Sequence, residues 1–130
     1  MVNVVFVVGA PCSGKTTWAK QSMRPGDVLV DYDLLMGAIT EADPYAVGVR
    51  GKWRAGPLHR LVCEVRDALV HAATAGQLVD DCTVYIVKCD EPKREMVRLD
   101  RAGVPYTVKV METAERECLD RAKAAGRPPE

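Results

Sequence analysis

With 130 residues, 48% of them apolar and 28% charged, the chain has the size of one domain and too much apolar content for global disorder. Its 18 basic and 18 acidic side chains balance, so no basic tail announces tight nucleic-acid binding, although a local basic surface is compatible with that total. Cys12, Cys63, Cys82, Cys89 and Cys118 are scattered and odd in number, with no close metal-ligand pairing, which fits ordinary thiols in a reducing compartment.

The apolar stretch at residues 2–8 is too short for a membrane span and carries no basic leader. Its branched side chains predict a strand over 4–8 that is packed on both sheet faces. With no repeat or low-complexity tract, a cytoplasmic protein is expected.

Directly after that strand comes Gly9-Ala10-Pro11-Cys12-Ser13-Gly14-Lys15-Thr16, with the spacing G-x-x-x-x-G-K-T, and residues 15–21 read as a helix. Gly9 and Gly14 permit tight backbone turns, so that successive N–H groups can point inward at phosphate oxygens. The helix behind the loop adds its unpaired N–H groups and the positive end of its dipole. Lys15 supplies a point charge to the β and γ phosphates, and Thr16 a hydroxyl to magnesium. The predicted binding set is Gly9, Ala10, Pro11, Cys12, Ser13, Gly14, Lys15, Thr16 and Thr17, with ATP and Mg2+ as ligands. A dinucleotide turn is disfavoured, because Gly9-Ala10-Pro11 breaks the G-x-G-x-x-G pattern.

A short strand is predicted at 28–30, and Asp31-Tyr32-Asp33 stands at its exit, before a short helix over 34–39. In a parallel sheet this exit lies near the phosphate loop. Asp33 is the candidate for orienting or deprotonating an acceptor hydroxyl, and Asp31 for organising the metal with Thr16. Asp80-Asp81, after the apolar pair Leu78-Val79, is a second acidic candidate for the same crevice.

Residues 41–56 contain Pro44, Gly48, Gly51 and Gly56 and read as irregular, with Gly51, Lys52, Trp53 and Arg54 suited to an anionic or aromatic ligand. A long helix is predicted over 57–75, with Leu58, Leu61, Val62, Val65, Leu69, Ala72 and Ala73 as its apolar stripe; His59 and His71 on it are assigned to packing. A strand follows at 84–87, a charged helix at 91–101, and a last strand at 106–110. The closing helix spans 113–125, with Thr113 as its cap. Arg121, Lys123 and Arg127 at its end suit a closing lid that stabilises phosphoryl charge, and Arg116 is a further candidate. The alternation predicts one three-layer α/β domain over 1–130 with a mainly parallel sheet.

On these residues the chain resembles the small P-loop kinase family, especially polynucleotide-kinase-like domains of phage and bacterial proteins. The stretch from Gly9 through Thr16 and on to Thr17-Trp18-Ala19 carries the resemblance, together with Asp31-Tyr32-Asp33 and the closing helix around Arg121. The resemblance implies transfer of the ATP γ-phosphoryl group to a hydroxyl acceptor such as a polynucleotide 5′ end or a nucleoside. Asp33 would activate the acceptor, and Arg121 would be a lid arginine, with Arg127 as a shifted second one. Met36 stands where that family often has an arginine, and Arg50, Arg54 and Arg60 are the candidates to compensate. A nucleotide-dependent switch with weak hydrolysis, or a binding module without turnover, keeps the same loop and remains open beside the kinase reading. Oligomeric state is not encoded in any feature of the sequence.

Overall fold

In the computed structural model, β1 (Asn3–Val8) is buried on both faces, as its unbroken apolar run requires. The structure describes residues 2–44, 49, 52–53, 56–75, 77–78 and 81–124, apart from the side chain of Glu115. Val4 and Phe6 point to one side of the sheet and Val5 and Val7 to the other, the two-residue period of a strand.

The remaining elements are α1 (Lys15–Ser22), β2 (Val28–Val30), α2 (Tyr32–Thr40), α3 (His59–Thr74), β3 (Thr83–Lys88), α4 (Lys93–Ala102), β4 (Tyr106–Val110) and α5 (Glu115–Ala124). The sheet runs β2-β3-β1-β4 with every pairing parallel. Asn3 pairs with Thr83 and Val8 with Lys88, while Val4 pairs with Tyr106 on the other side. This order sets the carboxyl ends of β1 and β3 side by side, with β2 next in line.

Two apolar layers hold the helices on. Phe6, Val30, Val84 and Ile86 pack with Val70 and Ala73 of α3 and Leu99 of α4. On the opposite face, Val5, Val7 and Tyr85 pack with Ala19 of α1 and, at the margin, Trp18 and Met111. Each fully buried large side chain contributes about 1.5–3 kcal/mol relative to exposure. Phe6, Ile86 and Leu99 are therefore the principal anchors. The three-layer α/β architecture with a parallel sheet is the one predicted.

Three expectations change. The last helix opens at Glu115 with Ala114 at the cap position, so Thr113 falls one residue ahead of it, and its hydroxyl donates to the carbonyl of Ser13 at 2.7 Å as the chain leaving β4 crosses the phosphate loop. Leu58 and Leu61, assigned to the buried stripe of α3, are substantially exposed, and the helix buries Val62, Val70, Ala73 and Thr74. Asp81 precedes β3 rather than following a strand, and it lies at the opposite end of the sheet from the phosphate loop, with Asn3, Arg24 and Asp27. It cannot share the crevice proposed for it; its neighbour Asp80 lies outside the described residues. No described helix is long and apolar enough to cross a membrane.

At that lower end Asp27 staples β2 to β3. One carboxylate oxygen accepts from the Arg24 N–H at 2.8 Å and the other from the Thr83 N–H at 2.9 Å. These two bonds, from Arg24 first and Thr83 second, hold its carboxyl below the ordinary aspartate range.

Candidate functional site

The turn after β1 owes its shape to two residues in the left-handed region, Cys12 at φ 62° and Gly14 at φ 90°. Alternation of this kind directs consecutive N–H groups into one concavity. Cys12 holds its angle against roughly 1 kcal/mol of side-chain strain, whereas Gly14 has none. Gly14 is also the residue from which α1 starts, so the free N–H groups of the first helical turn open into the concavity.

Gly9 is fixed by space. A Cβ there would lie 2.6 Å from Ser13 Oγ and 3.0 Å from Met111 Cβ. Ser13 itself is 2% exposed, and its hydroxyl oxygen has no hydrogen-bond partner among the described residues. An orphaned buried hydroxyl inside a turn this tight is costly without a polar partner.

Lys15, only 8% exposed, curls back through the loop. Its Nζ donates to the carbonyls of Gly9 at 2.7 Å and Ala10 at 3.2 Å, and to Cys89 Sγ at 3.3 Å. The ammonium therefore sits at the centre of the curve traced by its own loop. Next to it, the Thr16 hydroxyl donates to Asp31 Oδ2 at 2.5 Å. The other Asp31 oxygen accepts from the Leu34 N–H at 3.2 Å and caps α2. This one carboxylate, 4% exposed, ties the loop helix to the exit of β2 across the intervening strand.

These groups line one open cleft of about 620 Å³ at the carboxyl ends of the strands. Its floor is residues 12–17. Asp31, Tyr32 and Asp33 form one wall, and Val87, Lys88, Cys89 and Asp90 another. The volume and position are those of a small-molecule site in an open α/β sheet. Lys88 is held there by Glu95 at 2.6 Å. Burial alone would raise the Glu95 carboxyl, but the Lys88 bond, a bond from its own backbone N–H and the charges of Lys88 and Arg98 together leave it below the ordinary glutamate range.

From above, Arg121 of α5 reaches the loop. One guanidinium nitrogen donates to the Cys12 carbonyl at 3.2 Å, and the other pairs with Glu117 one turn back. Arg121, the expected lid arginine, thus touches the loop, whereas Arg127 lies outside the described residues.

Of the predicted set, Cys12, Ser13, Gly14, Lys15, Thr16, Thr17, Asp31, Asp33 and Arg121 meet at this cleft. Gly9 and the Ala10 carbonyl meet Lys15 beneath it. Pro11 occupies the same turn. Lys52 is exposed and Trp53 half-buried, and neither is among the described residues that line the cleft; Gly51, Arg50 and Arg54 are outside the described residues.

The lining residues that sequence reading missed come from the end of β3, Val87 to Asp90, and from α3. His59, Cys63 and Arg66 come from α3, where His59 had been assigned to packing, and Asp90 follows β3. The first three are spaced four and three residues apart, hence on one helical face. That polar stripe was visible, but which side of α3 meets the cleft was not. His59 Nδ1 is 2.7 Å from the Tyr32 hydroxyl, with the two rings tilted at 57° and 5.4 Å apart. Arg60, one of the candidates to compensate for Met36, points to solvent beside Glu64 instead, and Met36 is buried. Among the described arginines, Arg66 lines the cleft together with Arg121.

Among the described residues no group of three or more His, Cys, Asp or Glu side chains gathers as a metal cage. A phosphate loop needs none, since its metal is shared between a hydroxyl and the phosphates. No curated protein matches the chain. A parallel sheet, a tight turn after its central strand, a lysine inside that turn and a threonine opening the helix together define a P-loop nucleotide-binding domain. The model of the AAA domain family matches residues 4–129 in agreement with that geometry, and the chain belongs to this family.

Proposed function

We propose that the chain transfers the γ-phosphoryl group of ATP to a hydroxyl compound held between α2 and α3. The observation that carries this reading is the Thr16–Asp31 bond, which draws the β2 exit, and Asp33 with it, to the phosphate loop. Phosphoryl transfer depends chiefly on alignment and charge stabilisation, so Asp33 needs position more than unusual basicity.

Three features support a triphosphate in the loop: the crowded Gly9, the orphaned Ser13 hydroxyl and the buried Lys15 ammonium. Thr16 is the residue to hold magnesium, with Asp31 accepting the threonine proton and orienting its oxygen. When bound, magnesium neutralises charge on the β and γ phosphates. Lys15 exchanges its loop carbonyls for phosphate oxygens. Asp33 receives the hydroxyl proton of the acceptor as its oxygen attacks phosphorus and the bond to the ADP leaving oxygen breaks. Arg121 leaves the Cys12 carbonyl and meets the charge on the transferring group.

The acceptor side is what distinguishes this cleft from a bare hydrolase. Tyr32, His59, Cys63 and Arg66 build a wall beyond the loop that ATP phosphates do not need. The resemblance to polynucleotide-kinase-like domains points to a 5′-hydroxyl nucleic-acid end or a nucleoside as acceptor. A second reading, a nucleotide-dependent switch with weak hydrolysis, is favoured by the family match and by the docking of Arg121 on the loop, a contact that bound nucleotide would rearrange.

Incubation with γ-labelled ATP and a panel of 5′-hydroxyl DNA, 5′-hydroxyl RNA and nucleosides separates the two. Labelled acceptor supports the kinase. Inorganic phosphate alone, at an unchanged rate with every acceptor, supports the switch and removes the role given to Asp33.

A further inference from the structure

Within the wall formed by α3, His59 and Cys63 stand one helical turn apart, and His59 Nε2 lies 3.7 Å from Cys63 Sγ. Zinc holds a thiolate sulfur at about 2.3 Å and an imidazole nitrogen at about 2.0–2.1 Å, so tetrahedral angles separate the two donors by about 3.6 Å. The pair is already at that spacing. We propose that His59 and Cys63 form a two-residue site for a thiophilic divalent cation such as Zn2+, oriented by Tyr32.

Orientation is the second observation. A ligating histidine ordinarily uses its other ring nitrogen for a hydrogen bond that fixes its tautomer and plane. Here Nδ1 is engaged by the Tyr32 hydroxyl at 2.7 Å, on a different helix, which leaves Nε2 as the nitrogen turned to sulfur. With the ion bound, Nδ1 carries the proton and donates to the tyrosine oxygen. Cys63 binds as thiolate and releases its proton to solvent.

Both side chains line the open cleft, so the remaining coordination positions face bound molecules or water. Among the described residues no third His, Cys, Asp or Glu completes a cage. The site is therefore an open, exchangeable one rather than a structural zinc. Soft ligands also keep it distinct from magnesium, which prefers oxygen donors.

The test is cobalt titration of the full chain without nucleotide, read by the near-ultraviolet thiolate-to-cobalt charge-transfer band and by displacement with zinc. The wild-type protein gives the band at one equivalent. His59→Ala and Cys63→Ala each abolish it, Tyr32→Phe weakens cobalt binding about tenfold, and Cys82→Ser, at the far end of the sheet, leaves it unchanged. Far-ultraviolet circular dichroism verifies the fold of each variant, and protection of Cys63 from alkylation by zinc in the wild-type chain gives a readout that needs no variant. Absence of the band with millimolar cobalt, its persistence in Cys63→Ala, or equal alkylation of Cys63 with and without zinc would overturn the site and leave a plain thiol–imidazole hydrogen bond. None of these readouts involves turnover, so they stand apart from the proposed transfer reaction.

Discussion

Removing the carboxylate of Asp31 tests whether the loop helix and the β2 exit are mechanically joined. The side chain makes two bonds from a nearly buried position, to the Leu34 N–H and to the Thr16 hydroxyl. Loss of a helix cap costs about 1 kcal/mol. A hydrogen bond to a charged group contributes about 1.5–3 kcal/mol, part of which Thr16 recovers by turning its half-buried hydroxyl to water. Asp31→Ala is therefore expected to lose about 2–3 kcal/mol of stability. Asp31→Asn keeps an oxygen for the cap and should lose about 1 kcal/mol less, in keeping with the value of the cap. The decisive measurement is a double-mutant cycle of Asp31→Asn with Thr16→Val, followed by urea unfolding under circular dichroism. A coupling of about 1 kcal/mol is expected for groups in direct contact. Additivity within about 0.3 kcal/mol would refute the link, and with it the argument that brings Asp33 to the phosphates.

Gly9→Ala drives a methyl group into Ser13 Oγ and Met111, and calorimetry should find Mg·ATP affinity reduced at least tenfold, in keeping with the contact distances; unchanged affinity would show that the loop yields freely. Asp33→Asn should lower transfer to an alcohol by about 100-fold or more while ATP binding stays near normal, as for removal of a positioned general base. Arg121→Ala should slow turnover and leave ADP affinity unchanged, because its loop contact is half-exposed and adds little to stability. For pH, Asp27 and Glu95 both have folded-state carboxyls depressed below their unfolded values. The unfolded chain then binds more protons in acid, so their stabilisation is complete above the unfolded values near 4 and is lost as pH falls through the lower folded ones. Asp27→Asn should flatten the acid limb of a stability profile, and an identical slope would remove the staple.

The phosphate loop was legible because its chemistry is local. An apolar strand, two spaced glycines and Lys15-Thr16 lie within thirteen consecutive residues, and local physics carries them to the observed turn. The strands at 28–30 and 106–110 were equally plain, bounded by turn residues and too short for helices. What escaped depends on contacts distant in the chain. Thr113 looks like a cap from its neighbours, yet its hydroxyl goes to Ser13, 100 residues away. The polar face of α3 is readable as a face, but only packing on α2 and the sheet decides that His59, Cys63 and Arg66 look into the cleft. Asp81 failed for a related reason. A strand after it, rather than before it, reverses the end of the sheet to which Asp81 belongs.

The pairing order also has a consequence for biosynthesis. β1 hydrogen-bonds to β3 and β4, and β2 reaches it only through β3. Until residue 83 has been made, β1 is thus a valine-rich segment without its strand partners. Such long-range closure is slow and leaves sticky backbone uncovered in the meantime. Nascent chains halted before residue 83 should therefore be good chaperone clients, and those extended past residue 110 poor ones.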